Sequence, residues 1–217
     1  AKRCGKDAEA LQVPWGSPIR AEAVDSKLAT SQFDSLTLIH NETSTGTMSP
    51  VTEIAALKSK YPDVMVIVDA VSSMTALPLN FDALGIDVLL AGTQKAFALP
   101  PGLSVFTCSP AALAKAATAK DRGYYFDFVE FEKNAKDSMT PSTPSVSHIY
   151  ALASKVEEFF AEGLEAREQD GPARPGRARV DLGASSCSHP DLASLATQAA
   201  RATRAYHRGK RPAQVGT

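Results

Sequence analysis

The stretch "VMVIVDA", residues 64–70, decides the fold. Apolar residues run unbroken from Val64 to Val68 and stop at an acid, Asp69. A strand with one wet face would alternate apolar and polar side chains; this one does not, so it reads as a strand covered on both faces, the signature of a parallel sheet. Upstream, "SLTLIH" (35–40) predicts a second short strand. The "SPVTEIAALKSKY" between them predicts a helix with Ser49 as N-cap, Pro50 at the first helical position, and Val51, Ile54, Ala55 and Leu57 on one face. Downstream, "NFDALG" predicts a single helical turn, and "DVLLAG" (87–92) another buried strand. "LSVFTC" (103–108) is a strand returning after a Pro-Pro-Gly turn, and "SPAALAKAATAK" repeats the Ser-Pro helix opening. "SHIYALASKVEEFFAEGLEAR" carries Ile149, Leu152, Val156, Phe159 or Phe160, and Leu164 at helical spacing. Strands alternating with helices predict an α/β fold with a mainly parallel sheet.

The 217 residues suffice for one large domain, or one domain with an appendage. Two compositions meet in the chain. In residues 1–167 lysine outnumbers arginine 11 to 4; in 168–217 the ratio is 1 to 7, and Ile, Phe, Met and Trp are absent. Such a tail buries little apolar surface against its chain entropy, although "LASLATQAARATRAY" has the makings of a short helix. The division expected is therefore a domain over 1–167 and an Ala/Arg/Pro-rich extension over 168–217, either disordered or the product of a shifted reading frame. The chain opens on Ala1 rather than Met, which suggests a start inside a longer protein.

A net charge of −1 gives no pull toward nucleic acid or an anionic membrane. The longest apolar run is far too short for a membrane span, and "AKRCGKDAEA" is no signal peptide. Cys4, Cys108 and Cys187 are odd in number and lack CxxC spacing, which argues against a disulfide framework or a zinc site and for a reducing, cytoplasmic setting. "DRGYYFDFVEFEKN" (121–134) mixes aromatics with charges of both signs; it predicts a loop or edge strand over the active site or a dimer interface, not a nucleic-acid surface.

In open α/β sheets ligands gather outside the carboxyl ends of strands. Three polar groups stand at such ends: "HNETSTG" (40–46), Asp69, and Thr93-Gln94-Lys95. A lysine and a carboxylate at neighbouring strand ends suit pyridoxal phosphate, whose aldehyde takes a lysine amine and whose pyridine nitrogen needs an acid beside it. Small or hydroxylic residues such as Gly92 and Thr93 let a phosphate approach the backbone. Taken singly, an Asp after a strand is a turn former and a lone Lys is solvated surface; their order together is the signal. No GxxxxGK[ST] loop indicates phosphoryl transfer, and no GxSxG elbow accompanies Ser72, Ser73, His40 and Asp69, so a hydrolase triad is disfavoured. His40 and His148 both read as structural.

Four stretches, "HNETSTG", "VDAVSS" (68–73), "AGTQKAFALPPGLSV" (91–105) and "MTPSTPSVSHIYAL" (139–152), resemble the class V aminotransferases, fold type I enzymes that use pyridoxal 5'-phosphate. The resemblance covers residues 1–167. It implies the central part of a fold type I large domain, without the family's N-terminal phosphate loop and stacking aromatic and without a recognisable small domain bearing a substrate-carboxylate arginine. It makes Lys95 the Schiff-base lysine and proton shuttle, and Asp69 the partner of the pyridine nitrogen. Thr43 corresponds to a hydroxyl at the ring edge, Val71 to an apolar residue on the ring face, and Gln94, with Thr93, to the phosphate side. Thr140 and Thr143 fall where the family reaches across a homodimer interface to the partner subunit's phosphate. Trp15 reads as structural. The implied activity moves an amino group from alanine or serine to a 2-oxo acid such as glyoxylate or pyruvate. A phosphoserine aminotransferase is the alternative within the family, and an inactive fragment or scaffold the alternative outside it.

Overall fold

The computed structural model describes residues 1–163. In chain order the elements are helix α1 (Ala21–Leu28), strand β1 (Ser35–Ile39), the short hairpin strands β2 (Asn41–Glu42) and β3 (Thr47–Met48), helix α2 (Val51–Ala56), β4 (Met65–Asp69), the one-turn helix α3 (Phe81–Leu84), β5 (Val88–Gly92), β6 (Ser104–Cys108), and helices α4 (Pro110–Thr118), α5 (Phe128–Lys136) and α6 (Val146–Glu162). The main sheet has the order β1-β4-β5-β6. Its first three strands are parallel, and β6 lies antiparallel to β5. The mainly parallel α/β reading therefore holds, and the Pro-Pro-Gly turn is what reverses the chain into β6. Among the described residues no helix is long and apolar enough to cross a membrane. The C-terminal extension expected over 168–217, and Leu164 of the predicted helix face, lie outside the described residues.

Register divides the sheet into two unlike faces. Leu38, Val68 and Leu89 are neighbours on one face and are 5%, 0% and 1% exposed. They close on Val24 and Leu28 of α1, Val51 and Ile54 of α2, and Leu152, Val156 and Phe159 of α6. Each such side chain contributes about 1.5–3 kcal/mol of transfer free energy. On the opposite face Ile39 is 45% exposed, and Ile67 and Leu90 are half-buried. The expectation that residues 64–70 form a strand buried on both faces is thus corrected for the described residues: only one face is closed. The unbroken apolar run reflects Ile67 on a face that the 13–19 loop covers in part, not a second complete layer.

Two helix readings also change. Ser49 does not cap α2; its amide donates to the His40 carbonyl at 2.8 Å, which ties it into the base of the β2–β3 hairpin. Pro50, with φ −76° and ψ 77°, takes the cap position, and the helix gives way to a 3-10 turn at Leu57–Ser59 instead of running on to Tyr61. The 121–134 stretch is not a loop or strand throughout: Asp127 accepts the Val129 amide at 3.0 Å and starts α5. Arg122 Nε grips both Asp127 oxygens at 2.9–3.0 Å and holds that carboxyl below its usual range. The other Ser-Pro opening behaves as read, with Ser109 Oγ accepting the Ala112 amide at 3.0 Å and Pro110 inside the first turn of α4. Likewise Asn80 caps α3, and Gly85 (φ 64°) ends it.

One buried acid joins these pieces. Asp87 is 1% exposed and accepts the Val66 amide at 2.8 Å, Ser109 Oγ at 2.9 Å and the Lys58 ammonium. It thereby links β4, the entrance to β5, the N-terminus of α4 and the turn after α2.

Candidate active site

The parallel strands end together, and Asp69 is the last residue of β4. Its carbonyl accepts the His40 amide from the end of β1 at 2.9 Å. Its Oδ1 accepts the Val71 amide at 2.9 Å, which orients the carboxylate and begins the turn. The second carboxylate oxygen has no protein partner among the described residues. The turn then closes with the amides of Ser73 and Met74 on the Ala70 carbonyl, at 3.0 and 2.8 Å, and buries Ser72, Ser73 and Met74. Thr43, on the β2–β3 hairpin, meets Ser72 hydroxyl to hydroxyl at 2.5 Å. That bond brings "HNETSTG" and "VDAVSS" to one place. Ser72 directly follows Val71, and the sequence raises it only within "VDAVSS" and as a disfavoured hydrolase residue, not as a partner of Thr43.

Lys95 follows β5 in a loop pinned on both sides. Before it, Thr93 is fully buried; its amide and hydroxyl donate to the Leu103 carbonyl at 3.1 Å, and its hydroxyl also reaches the Pro100 carbonyl at 3.0 Å. Thr93 therefore closes the loop onto the Pro-Pro-Gly turn and spends its hydroxyl there. After Lys95, Phe97 is 1% exposed and packs on Phe159 of α6 with ring centroids 5.9 Å apart. Between these anchors Lys95 is half-buried, its carbonyl taken by the Ala98 amide at 2.8 Å. No described residue pairs with its ammonium. Phe97 is a positioning residue that sequence reasoning passed over, because an apolar residue two past a lysine carries no pattern of its own. Gln94 is exposed and folds back over Gly92, where a Cβ would lie 2.5 Å from Gln94 Oε1.

A cavity of about 530 Å³ opens beside Asp69, floored by Ile39, Ile67 and Leu90 and walled by Trp15 and the β2–β3 hairpin. Thr47 Oγ1, donating to the Gly16 carbonyl at 3.0 Å, holds the Trp15 loop against that hairpin. Thr140 and Thr143 are exposed on the segment before α6, and neither borders this cavity. Thr140 Oγ1 donates to the Ser142 carbonyl at 2.7 Å. His40, read as a satisfied structural histidine, is buried, but its Nδ1 has no partner among the described residues, and burial pushes its pKa down. Neither the Ser72 hydroxyl, which meets Thr43, nor the Asp69 carboxylate, which accepts the Val71 amide, bonds to its ring, so the hydrolase arrangement is not assembled. His148 Nδ1 pairs with Ser145 Oγ at 2.8 Å, while its ring packs on Gly102, where a Cβ would come within 3.0 Å.

A braced carboxylate with one free oxygen and an unpaired amine on the adjacent strand's loop are the kinds of group that the ring end of pyridoxal phosphate takes; of the two, Asp69 borders the cavity and Lys95 does not. At Gly92 the place that a Cβ would take is filled by the side-chain amide of Gln94. The model of the family described as Aminotransferase class-V matches residues 1–171. The chain belongs to the class V aminotransferases. Within that family it is 33% identical to a serine–glyoxylate aminotransferase of Arabidopsis thaliana over 76% of this chain and 42% of the relative. It is 31% identical to the soluble hydrogenase 42 kDa subunit of Anabaena cylindrica over 89% of this chain and 53% of that one. Among solved structures, the alanine–glyoxylate aminotransferase of a Nostoc species superposes with a TM-score of 0.71 at 29% identity, covering 76% of this chain and 44% of that chain. The sheet is accordingly part of a fold type I large domain, and the chain spans about half the length of the curated relatives it matches.

Proposed function

We propose that the chain carries the amine-and-acid centre of a pyridoxal-phosphate aminotransferase that moves an amino group from alanine or serine to glyoxylate or pyruvate. The observation that supports this most is the pairing of a braced, half-open Asp69 carboxylate with an unpartnered Lys95 at neighbouring strand ends. When bound, the cofactor supplies the electron sink for proton loss from the amino-acid carbon. In this reading Asp69 keeps the ring nitrogen protonated by opposite charge, and Val71, whose amide orients Asp69, lies against the ring face. Thr43, held by Ser72, positions the ring edge. Lys95 binds the aldehyde and then carries a proton at its Nζ, Gly92 and Gln94 bound the phosphate side, and the buried Thr93 holds their loop on the Pro-Pro-Gly turn instead of facing the phosphate itself. Thr140 and Thr143 serve a partner subunit in a homodimer, a role consistent with their exposure away from the Asp69 cavity. The domain ends near Arg167, which the family match ending at residue 171 supports.

The test is spectroscopic, followed by turnover. Adding pyridoxal phosphate to the purified chain should raise a visible absorption band that Lys95→Ala removes, and amino transfer should fall at least 10²–10⁴-fold in that variant. Assay with alanine, serine and phosphoserine as donors separates the two branches. A band that persists in Lys95→Ala removes Lys95 from the chemistry. No band in the native chain makes it a non-catalytic scaffold.

A further inference from the structure

The loop that carries Lys95 closes on a turn with one soft joint. Across residues 93–103 the Thr93 hydroxyl donates to the Pro100 and Leu103 carbonyls at 3.0 and 3.1 Å, and the Leu99 amide returns to the Thr93 carbonyl at 3.0 Å. Lys95 therefore lies two residues from bonds whose other ends are on the Pro-Pro-Gly turn. Pro100 and Pro101 have a φ fixed by their rings. Gly102 does not: its φ is 143°, a region that residues with a Cβ rarely adopt. It is the joint about which the turn, and the Pro100 carbonyl on it, can swing.

His148, in the first turn of α6, is wedged into that joint. Its Nε2 and Cε1 stand 3.0 and 3.1 Å from the place a Gly102 Cβ would take, so the edge of the imidazole fills the volume of the side chain that Gly102 lacks. The ring is fixed from behind, because Nδ1 and the Ser145 hydroxyl share a bond of 2.8 Å. Ser145 occupies the N-cap position of α6, yet its hydroxyl makes no cap bond there; it orients His148 instead. Nε2 is sealed from solvent and has no hydrogen-bond partner among the described residues. A buried, unpaired ring nitrogen is a costly way to fill space, and what it contributes at Gly102 is shape. The loop beyond the joint is itself under constraint. Ala98, whose amide donates to the Lys95 carbonyl at 2.8 Å, has a φ of 55°, a left-handed conformation that persists where the surroundings enforce it. α6 thus holds this loop at two points, Phe159 against Phe97 and His148 against Gly102.

We infer that His148 is a positioning residue for Lys95: its ring edge blocks the Gly102 joint and so fixes the loop that presents the amine. His148 does not border the Asp69 cavity, so it acts through the loop and not on a ligand. Among the described residues no group of His, Cys, Asp and Glu makes it a metal ligand. The inference rests on the reading of Lys95 as the amine that takes the cofactor, and adds that its placement is set from α6. The competing role is plain packing, which a leucine would serve at least as well.

The experiment compares His148→Leu, His148→Gln and Ser145→Ala in the full chain. The branches of leucine end at the level of Nδ1 and Cδ2, short of the edge that meets Gly102, whereas glutamine reaches that level. Ser145 is exposed, so its variant weakens the restraint without touching the core. Without cofactor, the Ala98 and Leu99 amides should lose nearly all of their exchange protection in His148→Leu and part of it in Ser145→Ala. Both should stay protected in His148→Gln. The Ala70 and Asp87 amides, which bond across the sheet at 2.9 Å, should keep their rates throughout. On titration with pyridoxal phosphate, the apparent Kd read from the visible band should rise about tenfold in His148→Leu, the loop being in place about a tenth of the time, and recover in His148→Gln. The inference is overturned if neither His148→Leu nor Ser145→Ala loosens the two loop amides, or if leucine and glutamine behave alike. Loss of protection at all four amides together makes His148 a packing residue, and loosened amides with an unchanged Kd detach it from Lys95; either result also overturns it. If the native chain gives no band, the aminotransferase reading fails, while selective loss of protection at Ala98 and Leu99 still upholds the restraint on the loop and its absence overturns it.

Discussion

His40 shows how much one side chain can hold back from view. Its place in "LIHNE" marks only the end of a strand, whereas the structure buries it with an unpartnered Nδ1. Burial depresses its pKa in the folded state, and the unfolded value lies near ~6.5. Above that pH both states are neutral and the full stability is present. As pH falls below it, the unfolded chain takes up a proton that the native chain refuses, so stability declines until pH passes the folded pKa. In urea titrations His40→Gln should flatten this decline, removing a slope of at most about 1.4 kcal/mol per pH unit; an unchanged slope in the variant would assign the decline to other groups. Thr75 is the other residue whose environment is not written in its neighbours. It is buried, its hydroxyl has no partner among the described residues, and its φ is 66°, a left-handed conformation that a β-branched residue adopts only under constraint. Thr75→Gly should therefore stabilise the chain by about 1 kcal/mol, strain relief exceeding glycine's entropic cost. A lower urea midpoint would mean that the packing of the Thr75 methyl outweighs its strain.

At the scale of elements, legibility follows the range of the interaction that makes each one. The strands of residues 35–39, 65–69, 88–92 and 104–108 were all readable, because apolar runs between turn residues are a local property. The α4 opening was readable for the same reason: Ser109 reaches only three residues ahead. Ser49 and Pro50 present the same dipeptide, yet Ser49 answers to His40 across a hairpin, and no local rule contains that bond. The four family stretches were legible as a resemblance, but the contacts that fix two of them in place, Thr43 to Ser72 and Phe97 to Phe159, join residues far apart in sequence. Asp87 is the clearest case, since it reads as the first residue of a strand and is instead a buried junction of three elements. Asp87→Ala leaves Lys58, Ser109 and the Val66 amide without their acceptor and should cost about 3–5 kcal/mol, the range for breaking a buried charge pair. Ser109→Ala loses the α4 cap and one of the Asp87 bonds and should cost about 1 kcal/mol. If the two variants prove equally mild in urea unfolding, Asp87 is not the junction its bonds describe.

At the scale of the whole molecule, the sheet face closed by α1, α2 and α6 is where the described residues bury most of their apolar surface. Among the described residues the cluster around Val68, Ile54, Met74 and Leu89 draws on every layer from Val24 of α1 to Phe159 of α6. Beyond Arg167 the chain has no Ile, Phe, Met or Trp, and its stretch "LASLATQAARATRAY" offers, besides six alanines, only two leucines and a tyrosine as apolar residues. The urea m-value scales with the surface exposed on unfolding. A C-terminal extension that adds little apolar burial adds little to m, whatever its length. A chain ending at Arg167 should therefore unfold with the m-value of the full chain to within the ~10–15% uncertainty of such extrapolations, and with the same midpoint. A clearly smaller m in the shortened chain would mean that the extension buries surface against the domain, and would move the boundary drawn at residue 167. An equal m with a lower midpoint would instead point to a few specific contacts, which Arg-to-Ala substitutions between Arg174 and Arg211 would then locate.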